Sequence, residues 1–378
     1  MNILITVGIF PPDIGGPASF VPKISDFLIK SGHNVQIICL SEEKNIYVED
    51  KLNVIRINRS NKLPIRWLKT TYQIIKNGRK SDLIFINGLA VEASIANLLL
   101  KKPIVRKIVG DPVWERAYNR KKITESFDKF QNNKHSLMIE IQKLIRNWSI
   151  NSAKIIITPS DHLKGFVSEL GFKKEILKIN NGVEITEIQR RTLDKPEINL
   201  IIVSRLVIQK NIDLVINALK ILNNVNLKLN IIGEGNEISK LEKVINDFNL
   251  HKQVKLLGKI DNNEISKFLT NSDIFIQASD YEGLPHSVLE AINYEVPILS
   301  TEAGGCKDLL NDGERGFIIS TPPNKNLIAK NIKFIINNKD EAIKRAAVAK
   351  SYISKEYNFS SQAKVYMEVI QKTVEMEL

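Results

Sequence analysis

The chain of 378 residues contains two cysteines, Cys39 and Cys306, with no CxxC pair and no Cys/His cluster at metal-ligand spacing. A disulfide framework and a structural zinc site are therefore excluded, and a reducing cytoplasm fits such a chain. Long apolar runs are missing as well. The longest, Leu83 to Leu100, is interrupted by Asn87, Glu92 and Asn97, and a glutamate at mid-membrane costs about 2.5 kcal/mol or more, so no transmembrane helix is expected. The opening segment MNILITVGIF has neither a basic region nor a small-residue cleavage site, and it reads as a buried strand and not as a signal peptide. The dinucleotide fingerprint GxGxxG is absent: six residues separate Gly8 from Gly15-Gly16, and Gly233-Glu-Gly235 lacks the third glycine. Walker A, GxSxG and HExxH patterns are absent too.

What remains is ordinary globular chemistry, 43% apolar and 25% charged, at a length that suits two domains. Short runs rich in Ile, Val and Leu alternate with longer helical patterns: Ile3 to Val7, Phe20 to Lys30, Val35 to Leu40. That alternation marks βαβ units around a parallel sheet buried on both faces. Further strands are expected at Val54 to Ile57, Leu83 to Ile86, Ile104 to Val109 and Ile155 to Thr158. The pattern restarts at Asn199, after a polar stretch from Glu184 to Glu197 that reads as a linker, with strands at Leu227 to Ile232, Val254 to Leu257, Ile274 to Gln277, Pro297 to Ser300 and Gly316 to Ile319. The expected fold is α/β, with two Rossmann-like doubly wound domains over 1–186 and 187–359 and a cleft between them. The terminal helical pattern over 360–378 is expected to pack back on the first.

Charge is distributed unevenly. Up to Arg190 there are 30 Lys and Arg against 18 Asp and Glu, and beyond it 24 of each, so the whole net charge of +12 belongs to the first half. An anionic partner for that half follows, nucleic acid or a membrane surface. Arg66, Lys69, Lys76 and Lys80 fall on one helical face, with Leu68, Tyr72 and Ile75 on another. The stretch from Arg120 to Trp148 mixes cations with Phe127, Phe130, Leu137, Ile141 and Leu144. Basic amphipathic helices of this kind can lie on anionic lipid. No RNA- or DNA-binding motif accompanies them, so nucleic acid is not the expected partner.

Three segments carry candidate chemistry. Gly15-Gly16, between a strand and a helix opened by Pro17, could bring backbone N–H groups to a phosphate. Arg205 and Lys210 stand five residues apart at the exit of a buried strand, a spacing that suits a diphosphate. Glu282 and Glu290 flank the start of a helix near Pro285, so both could face one elongated ligand, Glu290 on a ribose diol and Glu282 on a sugar.

These residues resemble glycosyltransferase family 4, the retaining nucleotide-sugar transferases of GT-B fold. The likeness runs from the GG turn through Thr158-Pro-Ser160, Asn181-Gly-Val183, Ser204-Arg205-Leu206 with Lys210, and Gly233-Glu-Gly235 to the E-x7-E element and Gly304-Gly305. It implies Arg205 and Lys210 on the donor diphosphate, Glu290 on the ribose and Glu282 on the transferred sugar, with the backbone of Gly283, Leu284, Pro285, Ser287 and Val288. Gly16 would lie near the phosphate or the acceptor, and Gly258 and Lys259 near the base. Where many relatives carry a sugar-touching histidine this chain reads Val109-Gly-Asp111-Pro, making Asp111 the substitute candidate. The resemblance further implies no cofactor and no divalent metal. It points to a lipid-linked or glycan acceptor of a bacterial envelope polysaccharide, and to a cytoplasmic place on the inner membrane face. A soluble-acceptor synthase of the sucrose or trehalose type, or a basic nucleic-acid binder, is the alternative.

Overall fold

The computed structural model describes residues 1–13, 15–42, 52–187 and 196–376. They form two units, one of Met1–Val113, Lys134–Asn181 and Ser360–Leu378, the other of Trp114–Asn133 and Gly182–Phe359.

In the first unit the order is β1 (Asn2–Val7), α1 (Gly16–Lys30), β2 (Asn34–Ser41), β3 (Asn53–Asn58), α2 (Leu63–Gly78), β4 (Leu83–Ile86), α3 (Ala90–Leu100) and β5 (Ile104–Lys107). The helices α4 (Pro112–Asn119) and α5 (Phe127–Asn132) follow, then α6 (Leu137–Asn151), β6 (Ile155–Thr158), α7 (Asp161–Glu169) and β7 (Glu175–Lys178). The seven strands pair in parallel in the order β3-β2-β1-β4-β5-β6-β7. Every residue of β4, β5 and β6 is buried, as a sheet covered on both faces requires. The edge strand β7 has no apolar run to announce it: Glu175 and Lys178 bound it and all four residues are at least partly exposed.

The second unit repeats the scheme with β8 (Ile198–Val203), α8 (Ile212–Leu222), β9 (Leu227–Ile232), α9 (Ile238–Asp247), β10 (Val254–Gly258), α10 (Asn262–Asn271), β11 (Ile274–Gln277) and α11 (His286–Asn293). It continues through β12 (Ile298–Thr301), α12 (Gly305–Leu310), β13 (Phe317–Ile319), α13 (Lys325–Asn337) and α14 (Lys339–Glu356). Its six parallel strands run β10-β9-β8-β11-β12-β13. The last helix, α15 (Phe359–Glu375), takes the chain back into the first unit. There Tyr366 is buried against Phe20 of α1 and Phe85 of β4, ring centroids 5.1 and 6.2 Å away.

The division between units departs in two places from the pattern-based boundary at 186: residues 182–186 and 114–133 go with the second unit. Of the linker read over 184–197, residues 188–195 lie outside the described residues. The stretch from Arg120 to Trp148, legible as one amphipathic run, is two helices with different neighbours. Phe127 and Phe130 of α5 are buried, whereas Leu137, Ile141 and Leu144 of α6 are exposed.

An aromatic cluster explains where 114–133 goes. The Trp114 ring, wholly buried, stacks on Tyr118 at 4.8 Å and meets Phe127 at 5.8 Å and Tyr281 at 5.2 Å. Phe127 in turn stacks on Tyr281 at 4.1 Å. Removing an indole from such a site costs about 3–5 kcal/mol. The Trp114→Ala protein is expected to melt at lower temperature and to be cut faster by trypsin at Arg116, Arg120, Lys121 or Lys122. An unchanged melting temperature would show that the cluster does not fix this stretch.

Candidate functional site

In the second sheet the chain winds outward in opposite directions from β8 and β11, which lie side by side. Loops leaving the carboxyl ends of two such strands diverge and leave a crevice, the usual ligand end of an open α/β sheet. The β8 exit carries Arg205 and leads through a turn of 3-10 helix, Ile208–Lys210, into α8. The β11 exit carries Ser279 to Pro285 and leads into α11. The two loops are tied together, because the Lys210 ammonium pairs with Glu282 Oε1 and the Ser279 hydroxyl donates to the same oxygen at 2.6 Å. Both side chains of the pair are about nine-tenths buried, at 11% and 10% exposure, and losing one partner from so enclosed a pair costs several kcal/mol.

A second tie runs through Asp280. Its carboxylate accepts from Asn211 Nδ2 at 2.8 Å and from the Tyr118 hydroxyl at 2.7 Å. Burial pushes both the Asp280 carboxyl and the Tyr118 phenol upward. Beside Tyr118, Glu115 of α4 reaches Arg205, with Oε2 3.5 Å from Nη2. Burial raises the Glu115 carboxyl above the usual range even though Arg205 and Lys210 pull it down. The Cys306 thiol, shut in near Glu282, is pushed up to about 12 and stays neutral.

Two close backbone approaches shape the crevice. Gly304, N-terminal to α12, has φ +51° and lies against the Glu282 carbonyl, where a Cβ would come within 1.7 Å of the oxygen. Gly235 also lies against a carbonyl, that of Leu206, where a Cβ would come within 2.1 Å of the oxygen, so the GEG turn after β9 rests on the loop that holds Arg205. Gly258 ends β10 and its carbonyl accepts from the Gly233 N–H at 2.8 Å, with the exposed Lys259 following. On the other side, Gly283, Leu284 and Pro285 are buried, no side chain caps α11, and Ser287 is partly exposed. Leu284 and Val288 point into the core, so any ligand contact there would come from their backbone. Glu290, in the second turn of α11, is half-buried.

Within the second unit Lys210 and Glu282 are brought together, while Arg205, Gly258, Lys259, Gly283 to Pro285, Ser287, Val288 and Glu290 lie at or after the carboxyl ends of β8, β10 and β11. Gly16 belongs to the first unit, at the start of α1 after Gly15. Asp111 also belongs there, and for it the expected contact with a ligand hydroxyl is corrected. Its side chain has no exposure, forms an ion pair with Arg146 of α6 and accepts from the Val113 N–H at 2.9 Å. It anchors the turn into α4. Four residues of the crevice were not picked out by pattern: Glu115, Ser279, Asn211 and Tyr118. Among the described residues no group of three His, Cys, Asp or Glu stands together to hold a metal.

Comparison with known proteins bears on the family and the fold. The model of glycosyltransferase family 4 matches residues 14–187 and that of glycosyl transferases group 1 matches 184–353. An uncharacterized glycosyltransferase of Methanocaldococcus jannaschii is 29% identical over 67% of this chain and 65% of its own length. A putative colanic acid biosynthesis glycosyltransferase of Salmonella typhimurium is 24% identical over 58% of this chain and 55% of its own length. The chain therefore spans between about half and two thirds of these curated relatives. Among solved structures, HepE of Anabaena in complex with UDP-glucose has a TM-score of 0.80 at 17% identity, over 98% of this chain and all of that one. That likeness shows the fold, two Rossmann-like units of the GT-B kind.

The buried Asp111 pair gives a direct check. Asp111→Ala leaves the Arg146 guanidinium buried and uncompensated, and the protein is expected to lose about 3–5 kcal/mol of stability in chemical denaturation. A change below about 1 kcal/mol would return Asp111 to the list of ligand-facing residues.

Proposed function

The chain belongs to the glycosyltransferases of family 4 and group 1, and from that premise we propose that it moves a sugar, with retention, from a nucleotide-diphosphate donor to a lipid-linked or polysaccharide acceptor of the bacterial cell envelope. The observation that carries this reading is the presence of two cations in the loop after β8, Lys210 paired with Glu282 of the loop after β11 and Arg205 with Glu115. Arg205 offers a planar fork and Lys210 a compact charge with N–H groups to spare beyond the one on Glu282. Both meet the negative charge that builds on the diphosphate as the bond from its oxygen to the sugar C1 breaks. Glu282, oriented by Lys210 and Ser279, accepts from hydroxyls of the sugar, and Glu290 from the ribose diol. The acceptor oxygen bonds to C1 on the face the diphosphate leaves, and the departing phosphate oxygen takes the acceptor proton. No divalent metal takes part, the two cations and the uncapped start of α11 supplying the positive field. The relatives' printed roles, colanic acid biosynthesis among them, support an envelope glycan, and the UDP-glucose bound by HepE supports a sugar nucleotide as donor.

The acceptor's membrane enters through the first unit. On α2 only Thr70, Ile74 and Gly78 are buried, while Leu68 and Tyr72 are 73% and 60% exposed beside Arg66, Lys69 and Lys76. The apolar side of this helix therefore faces outward. Its neighbour α3 exposes Leu98 and Leu99, and α6, packed on α3, exposes Leu137, Met138 and Leu144. Apolar side chains rimmed by cations suit the headgroup region of anionic lipid, which supports the reading of a peripheral enzyme on the cytoplasmic face of the membrane. Among the described residues no helix is long and apolar enough to cross it.

Two outcomes follow. Folded Lys210→Ala and Glu282→Gln proteins are expected to lose at least ~100-fold in sugar transfer, and EDTA to leave the wild-type rate unchanged; full activity in both variants would remove these residues from the site. The wild type is expected to sediment with phosphatidylglycerol vesicles and not with phosphatidylcholine ones, and a Leu68→Asp, Tyr72→Asp protein to stay in the supernatant. Equal sedimentation of both proteins would put the membrane contact elsewhere.

A further inference from the structure

Glu115 is a carboxylate without an assigned role in a place where negative charge is costly. Its neighbours on α4 are fixed: Trp114 is locked in the aromatic cluster and the Tyr118 hydroxyl is bonded to Asp280. The carboxylate is thereby held 3.5 Å from Arg205. The titratable groups that face it are Arg205 on the loop after β8, Lys210 in the 3-10 turn and Glu282 on the loop after β11. Asp280 and Tyr118, bonded to each other, lie beside them, and the Cys306 thiol faces Glu282 and Lys210 while staying neutral.

Without donor, Arg205 and Lys210 face the carboxylates of Glu115 and Glu282, with Asp280 beside them. This step rests on the reading of Arg205 and Lys210 as the diphosphate site. A nucleotide sugar then adds two negative charges to the same two cations, and the carboxylate that loses its cation to the diphosphate is the one driven toward its neutral form. Glu282 keeps the Ser279 hydroxyl and a Lys210 N–H, and Asp280 keeps Tyr118 and Asn211. Glu115 has Arg205 as its ion-pair partner, the cation that the diphosphate would take.

We infer that Glu115 makes donor binding proton-coupled: entry of the diphosphate onto Arg205 turns the Glu115 carboxylate into the neutral acid, whose O–H then donates to the bound donor. One proton is taken from solvent, and no covalent bond of the donor changes. Burial already holds this carboxyl above the usual range, the direction in which uptake of a proton lies. Because binding takes up a proton, affinity falls as pH rises, by up to about tenfold per pH unit.

The test is calorimetric titration of the full chain with UDP-, ADP-, GDP- and dTDP-glucose, in buffers of low and high ionisation enthalpy, between pH 6.5 and 8.5. The diphosphate of a nucleotide sugar has no proton that titrates in this range, so uptake reports on the protein. The wild type is expected to take up a large fraction of one proton with the donor it binds. Glu115→Gln, and Glu115→Ala as a second variant, are expected to bind with no uptake and with affinity flat in pH. Equal uptake in the variants would move the proton to another group, Glu282 first, and overturn the inference. Donor binding without uptake by the wild type would overturn it as well while leaving the diphosphate site intact. Absence of heat with all four donors would bring down the diphosphate reading, and this inference with it.

Discussion

The Lys210 ammonium and the Glu282 carboxylate come from different loops and are enclosed together, so each is needed to balance the other. A lone charge in that position would carry a desolvation penalty of several kcal/mol, and neither loop can move without exposing one. That constraint reaches outward through the second unit. Ser279, which donates to Glu282, has its own carbonyl held by the Thr301 hydroxyl at the end of β12, at 2.7 Å. Gly304, just beyond, lies so close to the Glu282 carbonyl that no side chain fits between them. On the other flank Asn211 follows Lys210 and binds both Asp280 and the Ala278 carbonyl. The crevice is thus defined by bonds between loops, and the parallel sheet serves to bring their roots side by side.

The first unit uses the same device for a different end. Arg146 and Asp111 are buried as a pair, and Arg106 next to them donates to Ser149 Oγ at 3.0 Å. Burial and the neighbouring Arg146 depress the Arg106 guanidinium to about 10, still charged at neutral pH. These groups pin α6 to the end of β5 and turn the chain into α4. Asp111 thus fixes the start of α4, and within the second unit Trp114 and Tyr118 hold the side of that helix and Glu115 faces Arg205. On the first unit's surface, apolar side chains of α2, α3 and α6 turn outward among lysines and arginines.

How far the sequence could be read depended on whether a contact was local. Strands buried on both faces show as unbroken apolar runs, and Ile155–Thr158, Leu227–Ile232 and Ile274–Gln277 coincide with the expected ones at both ends. The half-exposed edge strand Glu175–Lys178 has no such run and was invisible. In the crevice, Glu282 was legible because its loop opens a helix after a buried strand, and Arg205 with Lys210 because they share a strand exit. Glu115 was not, since its partner lies on a distant part of the chain and nothing local distinguishes it from a solvated helix residue. Asp111 misled for the converse reason: an aspartate at a strand exit looks the same whether it faces a ligand or, as here, Arg146. Likewise Phe127 and Phe130 sit in a basic run that resembles a lipid-facing helix until their burial is seen.

Whether the second unit is a nucleotide-diphosphate site is tested most directly by thermal unfolding with UDP, GDP, ADP and dTDP, for the wild type and for the Arg205→Ala, Lys210→Ala double variant. One nucleotide at about 100 times its dissociation constant should stabilise the wild type by about 2.7 kcal/mol, read as a clear rise in melting temperature, and leave the double variant where it was. No rise with any nucleotide, or the same rise in both proteins, would contradict the account.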